Sequence, residues 1–162
     1  MEIKSIIQLA FEKIHFVERY QEFVTRHHHK VSEYLAEYDE NEMIALMKKI
    51  LHRSDVVYLK SEHSFIIRDD LMGLHLVFGV SLGHGGADVY TNISRDNAFL
   101  GGGSWARVYR GILGELPEDS LEVPFPRPDY CSLIEVEQLV TEAYAIYEDF
   151  KKALTEQLEK EG

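Results

Sequence analysis

The sequence predicts an α+β fold, with an antiparallel β-meander of about five strands flanked by N-terminal helices and one long C-terminal helix, in a single domain over residues 1–162. Glycine and proline are absent before Gly73, ten of the 11 glycines fall between Gly73 and Gly114, and all four prolines lie between Pro117 and Pro128. That distribution reads as a helical first part, a turn-rich sheet, an irregular loop and a final helix. The apolar spacing agrees, being helical up to Leu51, alternating through the glycine-rich part and helical again after Ser132.

Ile3, Ile7, Ala10, Ile14, Val17 and Val24 repeat at helical spacing, and Ile6, Phe16, Tyr20 and Phe23 widen the stripe. Val31, Tyr34, Leu35 and Tyr38 continue it. One helix over residues 2–38 would span about 55 Å, longer than a domain of this size, so a break is expected near Arg26–Lys30. Asp39 followed by Glu42 predicts the cap of a third helix that buries Met43, Ile44, Met47, Ile50 and Leu51.

Strands are expected at Val56–Lys60, Ser64–Arg68, Leu74–Leu82, Val89–Ser94 and Trp105–Ile112. In the third, Leu74, Leu76, Phe78, Val80 and Leu82 share one face, as a half-buried antiparallel strand requires. The intervening segments are short enough for hairpins, and Gly101–Gly103 is read as a turn. Ser132 with Glu135 marks the start of the last helix, which should bury Val136, Val140, Ala143, Tyr147, Phe150 and Leu154.

A chain of 162 residues with 45% hydrophobic and 28% charged residues can bury a real core without disulfides. Its one cysteine, Cys131, forms no internal bridge, and no secretory leader or 20-residue apolar run is visible. A cytoplasmic location is expected. The net charge of −11 is concentrated in residues 111–162, which hold 4 basic and 13 acidic side chains. Nucleic-acid readers need the opposite sign, because phosphate neutralisation supplies most of their affinity.

No catalytic residue, cofactor or metal is expected. Gly101-Gly102-Gly103-Ser104 lacks both the spacing and the lysine of a phosphate loop, and Ala106 spoils a nucleophile elbow around Ser104. His27, His28 and His29 point about 100° apart on a helix and cannot converge on one ion. Glu12 and His15 have the spacing of half a di-iron site, with no second pair in the chain. All of these are read as solvated positions. His75 and His84 lie near glycine turns without an assigned partner, and Cys131 has no base to activate it.

Two features point to protein binding. Glu135, Glu142, Asp149 and Glu156 recur every seven residues on the last helix, an acidic stripe suited to a basic protein partner. On the expected last strand, Trp105, Arg107 and Tyr109 would share the face opposite Ala106, Val108 and Ile112. That face is either open to a partner, since Trp, Arg and Tyr are enriched at binding hot spots, or covered by a helix with the aromatics in the core.

The hairpin region Leu74–Ile112, with its Gly83–Gly86 and Gly101–Gly103 turns, and the acidic residues from Glu115 to Glu156 resemble the small acidic immunity proteins of contact-dependent inhibition and type VI toxin systems. The resemblance implies a non-enzymatic inhibitor that covers a toxin, often a basic nuclease, by charge and shape complementarity. Two other readings stand beside it. One is a small-molecule-binding domain or enzyme with a pocket between sheet and helices near Gly83–Gly86, using His75 and His84. The other is a structural subunit that oligomerises through an exposed sheet face.

Overall fold

The apolar stripe at the start of the chain folds into two helices, α1 (Ile3–Lys13) and α2 (Phe16–Arg26). The structure, a computed structural model, describes residues 1–28, 37–83, 85–114 and 127–162. The chain turns at Ile14–His15, earlier than the expected Arg26–Lys30, with His15 left-handed at φ 56° and ψ 47°. In an unbroken helix Phe11 and Phe16 would point roughly 140° apart. The turn brings both into the core, their rings 5.0 Å apart, with Phe11 stacked on Phe150 at 4.1 Å. Helix α2 does end at Arg26, and the expected continuation through Val31, Tyr34 and Leu35 lies outside the described residues.

Helix α3 (Glu40–Leu51) begins as its sequence predicts, with the Asp39 carboxylate accepting the Glu42 amide at 2.8 Å. It buries Met43, Met47 and Leu51, while Ile44 and Ile50 are half-buried. Strands β1 (Val57–Leu59), β2 (Ser64–Leu71), β3 (Leu74–Gly83), β4 (Gly86–Arg95) and β5 (Ala98–Ser104) then form one antiparallel meander in sequence order. Two hairpins close through two-residue turns, Met72–Gly73 and Asp96–Asn97, and all four residues have positive φ. That is the turn whose twist matches the flanking strands.

The fifth strand is not the expected one. Gly101–Gly103 lies inside β5, and Trp105–Ile112 falls in helix α4 (Trp105–Leu113). Ser104 pairs with Tyr90, so the sheet ends one residue before the helix starts. Close approach requires glycine at position 102 and constrains position 101. A Cβ on Gly102 would sit 2.0 Å from the Thr91 carbonyl oxygen, and one on Gly101 would sit 3.1 Å from Ile7. Trp105, Tyr109 and Ile112 also satisfy the spacing of a helix, and packing selects that period.

Helix α5 (Leu133–Glu161) buries all six residues expected of it, together with Leu139, Ile146 and Ala153. Ser132 caps its start by accepting the Glu135 amide at 3.3 Å, and Glu135 reaches back to the Cys131 amide at 2.6 Å. The alternation in β3 holds throughout: Leu74, Leu76, Phe78, Val80 and Leu82 are all buried in one core. Phe78 stacks on Tyr147 of α5 at 4.7 Å and meets Trp105 of α4 at 6.2 Å. On the reverse face Tyr90 lies over Gly79, where a Cβ would be 2.2 Å from the tyrosine ring. No described helix is long and apolar enough to cross a membrane.

Candidate functional site

The aromatic pair expected to anchor a partner belongs to the core. Trp105 is 1% exposed, donates its indole N–H to Thr91 Oγ1 at 3.0 Å and meets Phe16 edge-on at 5.5 Å. Tyr109 is 4% exposed, and its hydroxyl accepts from Gln21 Nε2 at 2.6 Å. On a helix these two share the inward face, whereas Arg107 points to solvent. The three residues do not form one surface.

The acidic stripe is a ladder between helices. Glu156 pairs with Lys13 at 3.6 Å, Asp149 with Arg19 at 2.8 Å, and Glu142 with Arg26 and with His27 Nε2 at 2.6 Å. Glu135 ends the series as a cap on the Cys131 amide. A seven-residue repeat drifts only about 20° per repeat on an α-helix, so the acids keep facing one neighbour. That neighbour is the run of α1 and α2, antiparallel to α5, which supplies the cations in reverse order. Three of the stripe's four acids are thus paired with side chains of the N-terminal helices, with Glu142 half-buried and Asp149 and Glu156 still open to solvent. Burial raises the Glu142 carboxyl, but hydrogen bonds from Arg26 and His27 outweigh it and hold the group below the usual carboxylate range.

His27 departs from the solvated position expected of it. It is 8% exposed, and its backbone oxygen also accepts the Asp129 amide at 2.7 Å. His75 is well exposed and lies 2.5 Å from Asp70 Oδ1 at the Leu71–Leu74 end of the β2–β3 hairpin. Gly83 lies at the opposite end of β3 from His75, and His84 is outside the described residues. The Cys131 thiol is pushed up by desolvation and by Glu135 and Asp129, which opposes thiolate chemistry.

The most elaborate polar cluster surrounds Asp69. Its carboxylate accepts from Tyr147 at 2.6 Å, Arg53 at 2.8 Å and Lys151 at 3.1 Å, while Arg53 also grips Asp55. Burial raises this carboxyl, and the three donors together hold it below the usual range. Each charge has an opposite partner, and the cluster ties the turn after α3 to β2 and α5. Its chemistry is that of a structural clasp.

A different region gathers acid and aromatic groups around a surface depression. Two adjoining grooves, of about 280 and 240 Å³, share Glu37 and Tyr38. Glu40, Tyr58, His63 and Gly83 complete the first, and Asp39, Glu42 and Leu133 border the second. Neither has a described lysine or arginine in its lining. The Tyr38 hydroxyl donates to the Leu82 carbonyl at 2.9 Å, which fixes the ring against the end of β3. Tyr58 leans on Phe65 at 4.6 Å between centroids, and its hydroxyl is 3.3 Å from His63 Nδ1. Sequence reading saw Asp39 and Glu42 only as caps. Tyr58 lies 20 residues beyond Tyr38, and only the hairpin joins them. The depression does touch Gly83, the end of the sheet where a pocket is expected, but His75 takes no part.

No family model matches the chain, and neither a curated protein nor a solved structure does.

Proposed function

We propose that this chain is a non-enzymatic binding protein that captures a basic protein partner, as an immunity protein captures a toxin, through the grooves around Tyr38. The observation that carries this reading is the gathering of Glu37, Asp39, Glu40 and Glu42 with Tyr38 and Tyr58 around two adjoining grooves. A lysine or arginine side chain gains there twice, from carboxylates and from the aromatic quadrupole. Both tyrosines are backed by Phe65, so little side-chain freedom is lost on binding. The net charge of −11 adds long-range attraction, which raises association rates for a basic partner.

The test is affinity capture by the wild-type protein and by Glu37→Lys/Glu40→Lys, followed by binding kinetics at two salt concentrations. The expected result is a positively charged partner whose association rate falls at least about tenfold in the reversed variant, with a weaker salt dependence. Tyr58→Ala should mainly speed dissociation. A partner that binds both forms at equal rates would sink the assignment of this surface. Capture of acidic proteins alone would sink the basic-partner reading itself.

A further inference from the structure

We infer that a second groove, between α1, β5 and α4, binds an amphipathic carboxylate, a hydrocarbon chain with one anionic end. The groove has a volume of about 400 Å³, within the range of about 300–1,000 Å³ usual for small-molecule sites. Its apolar lining includes Ile7 and Phe11 from α1 and Val108 from α4, and the Phe99 ring stands at its edge 62% exposed. Among the described residues, the charged ones lining it are Lys4 and Arg107. Neither has an ion-pair partner among the described residues, in a chain carrying 28 acidic and 17 basic side chains. An apolar trough with two cations and no acid complements a hydrocarbon with a negative head.

Gly111 supplies the second argument. It sits within α4, where glycine weakens a helix relative to almost any other residue. Neither usual reason for a helical glycine applies. Its backbone is not left-handed, and a Cβ placed on it would meet no atom of the described residues within 4 Å. Gly101, by contrast, is confined by Ile7. The missing side chain at position 111 has one geometric consequence, which is to keep the groove open. This inference is independent of the basic-partner reading, because the two grooves share no residue and have opposite charge.

The experiment titrates decanoate, decanol and decylammonium into the protein below their micelle-forming concentrations. Amide NMR shifts locate the site, and each chain-length-matched probe tests the head group. Decanoate should perturb Gly101, Gly102 and Gly111 first. Lys4→Gln/Arg107→Gln should weaken it at least about tenfold, the loss expected for a charge-assisted contact. Gly111→Leu should abolish binding while keeping or raising the unfolding midpoint, which separates a filled groove from a damaged fold. Equal affinity for decanol and decanoate would overturn the anionic class. Shifts confined to other regions, or none at millimolar decanoate, would overturn the site. A dimer that Gly111→Leu disrupts, without decanoate binding, would assign the groove to a second copy of the chain and overturn the ligand.

Discussion

Two buried tyrosines show how a single hydroxyl is decided by its neighbours. Tyr147 donates to the charged Asp69 at 2.6 Å, whereas the buried Tyr130 hydroxyl has no geometric hydrogen bond among the described residues. Burial accordingly pushes the Tyr130 phenol up to about 12. Tyr147→Phe is expected to cost about 1.5 kcal/mol, the low end for a bond to a charged group, because Arg53 and Lys151 remain on Asp69. Tyr130→Phe should leave the denaturant midpoint unchanged or raise it, since it removes a desolvated polar atom and little volume. Asp69 itself sets an acid limit. Its carboxyl, with those of Asp55 and Glu142, is held below its ordinary value in the fold. A group whose folded pKa is depressed contributes stability above its unfolded value, about 4, and loses it as pH falls through the folded value. Urea midpoints should therefore decline below about pH 4, and Asp69→Asn should flatten that decline while lowering stability at pH 7. An acid limb unchanged in Asp69→Asn would mean that the clasp is not what titrates.

At the level of elements, most of the fold was legible because most elements state their period without ambiguity. Strand β3 alternates over nine residues, and Asp39 and Ser132 mark helix starts that hydrogen bonds bear out. The exceptions have physical causes. Trp105–Ile112 satisfies both a two-residue and a helical period, and its Trp, Val, Tyr and Ile favour strands, so only the packing of Trp105 against Phe16 and Phe23 decides. The α1–α2 break carries no glycine or proline to announce it, since His15 accepts a left-handed backbone. The acid repeat on α5 was visible, but its partners lie more than a hundred residues away on α1 and α2. That ladder grades with exposure. Glu142 is 23% exposed and bonds both Arg26 and His27, while Glu156 is 44% exposed and holds Lys13 at 3.6 Å. Glu142→Gln should then cost about 1–3 kcal/mol and Glu156→Gln under about 1 kcal/mol, read from equilibrium unfolding. Equal losses at both positions would show that burial does not control the ladder.

For the whole molecule, the question is which negative charges serve the fold and which remain for recognition. Residues 111–162 carry 13 of the 28 acids, and sequence position alone makes that third look like the docking surface. The tertiary structure redistributes the assignment. Glu142, Asp149 and Glu156 pair with cations of the N-terminal helices, while Glu37, Glu40 and Glu42 stand exposed around Tyr38, with no lysine or arginine among the described residues lining the grooves. The candidate site was therefore not legible as a stripe: the informative acids lie next to a helix cap, and their aromatic neighbours arrive from a distant hairpin. The two groups predict opposite outcomes. Glu142→Lys/Asp149→Lys places two lysines against Arg19, Arg26 and His27, so it should lower the unfolding midpoint and, once the protein is folded, slow partner association only by the lost long-range attraction. Glu37→Lys/Glu40→Lys alters exposed side chains, so the midpoint should hold within about 0.5 kcal/mol while association slows. Both variants change net charge by the same amount, from −11 to −7, so long-range steering falls equally and only local placement separates them. If association slows equally in both, steering by total charge explains the binding and the grooves around Tyr38 do not.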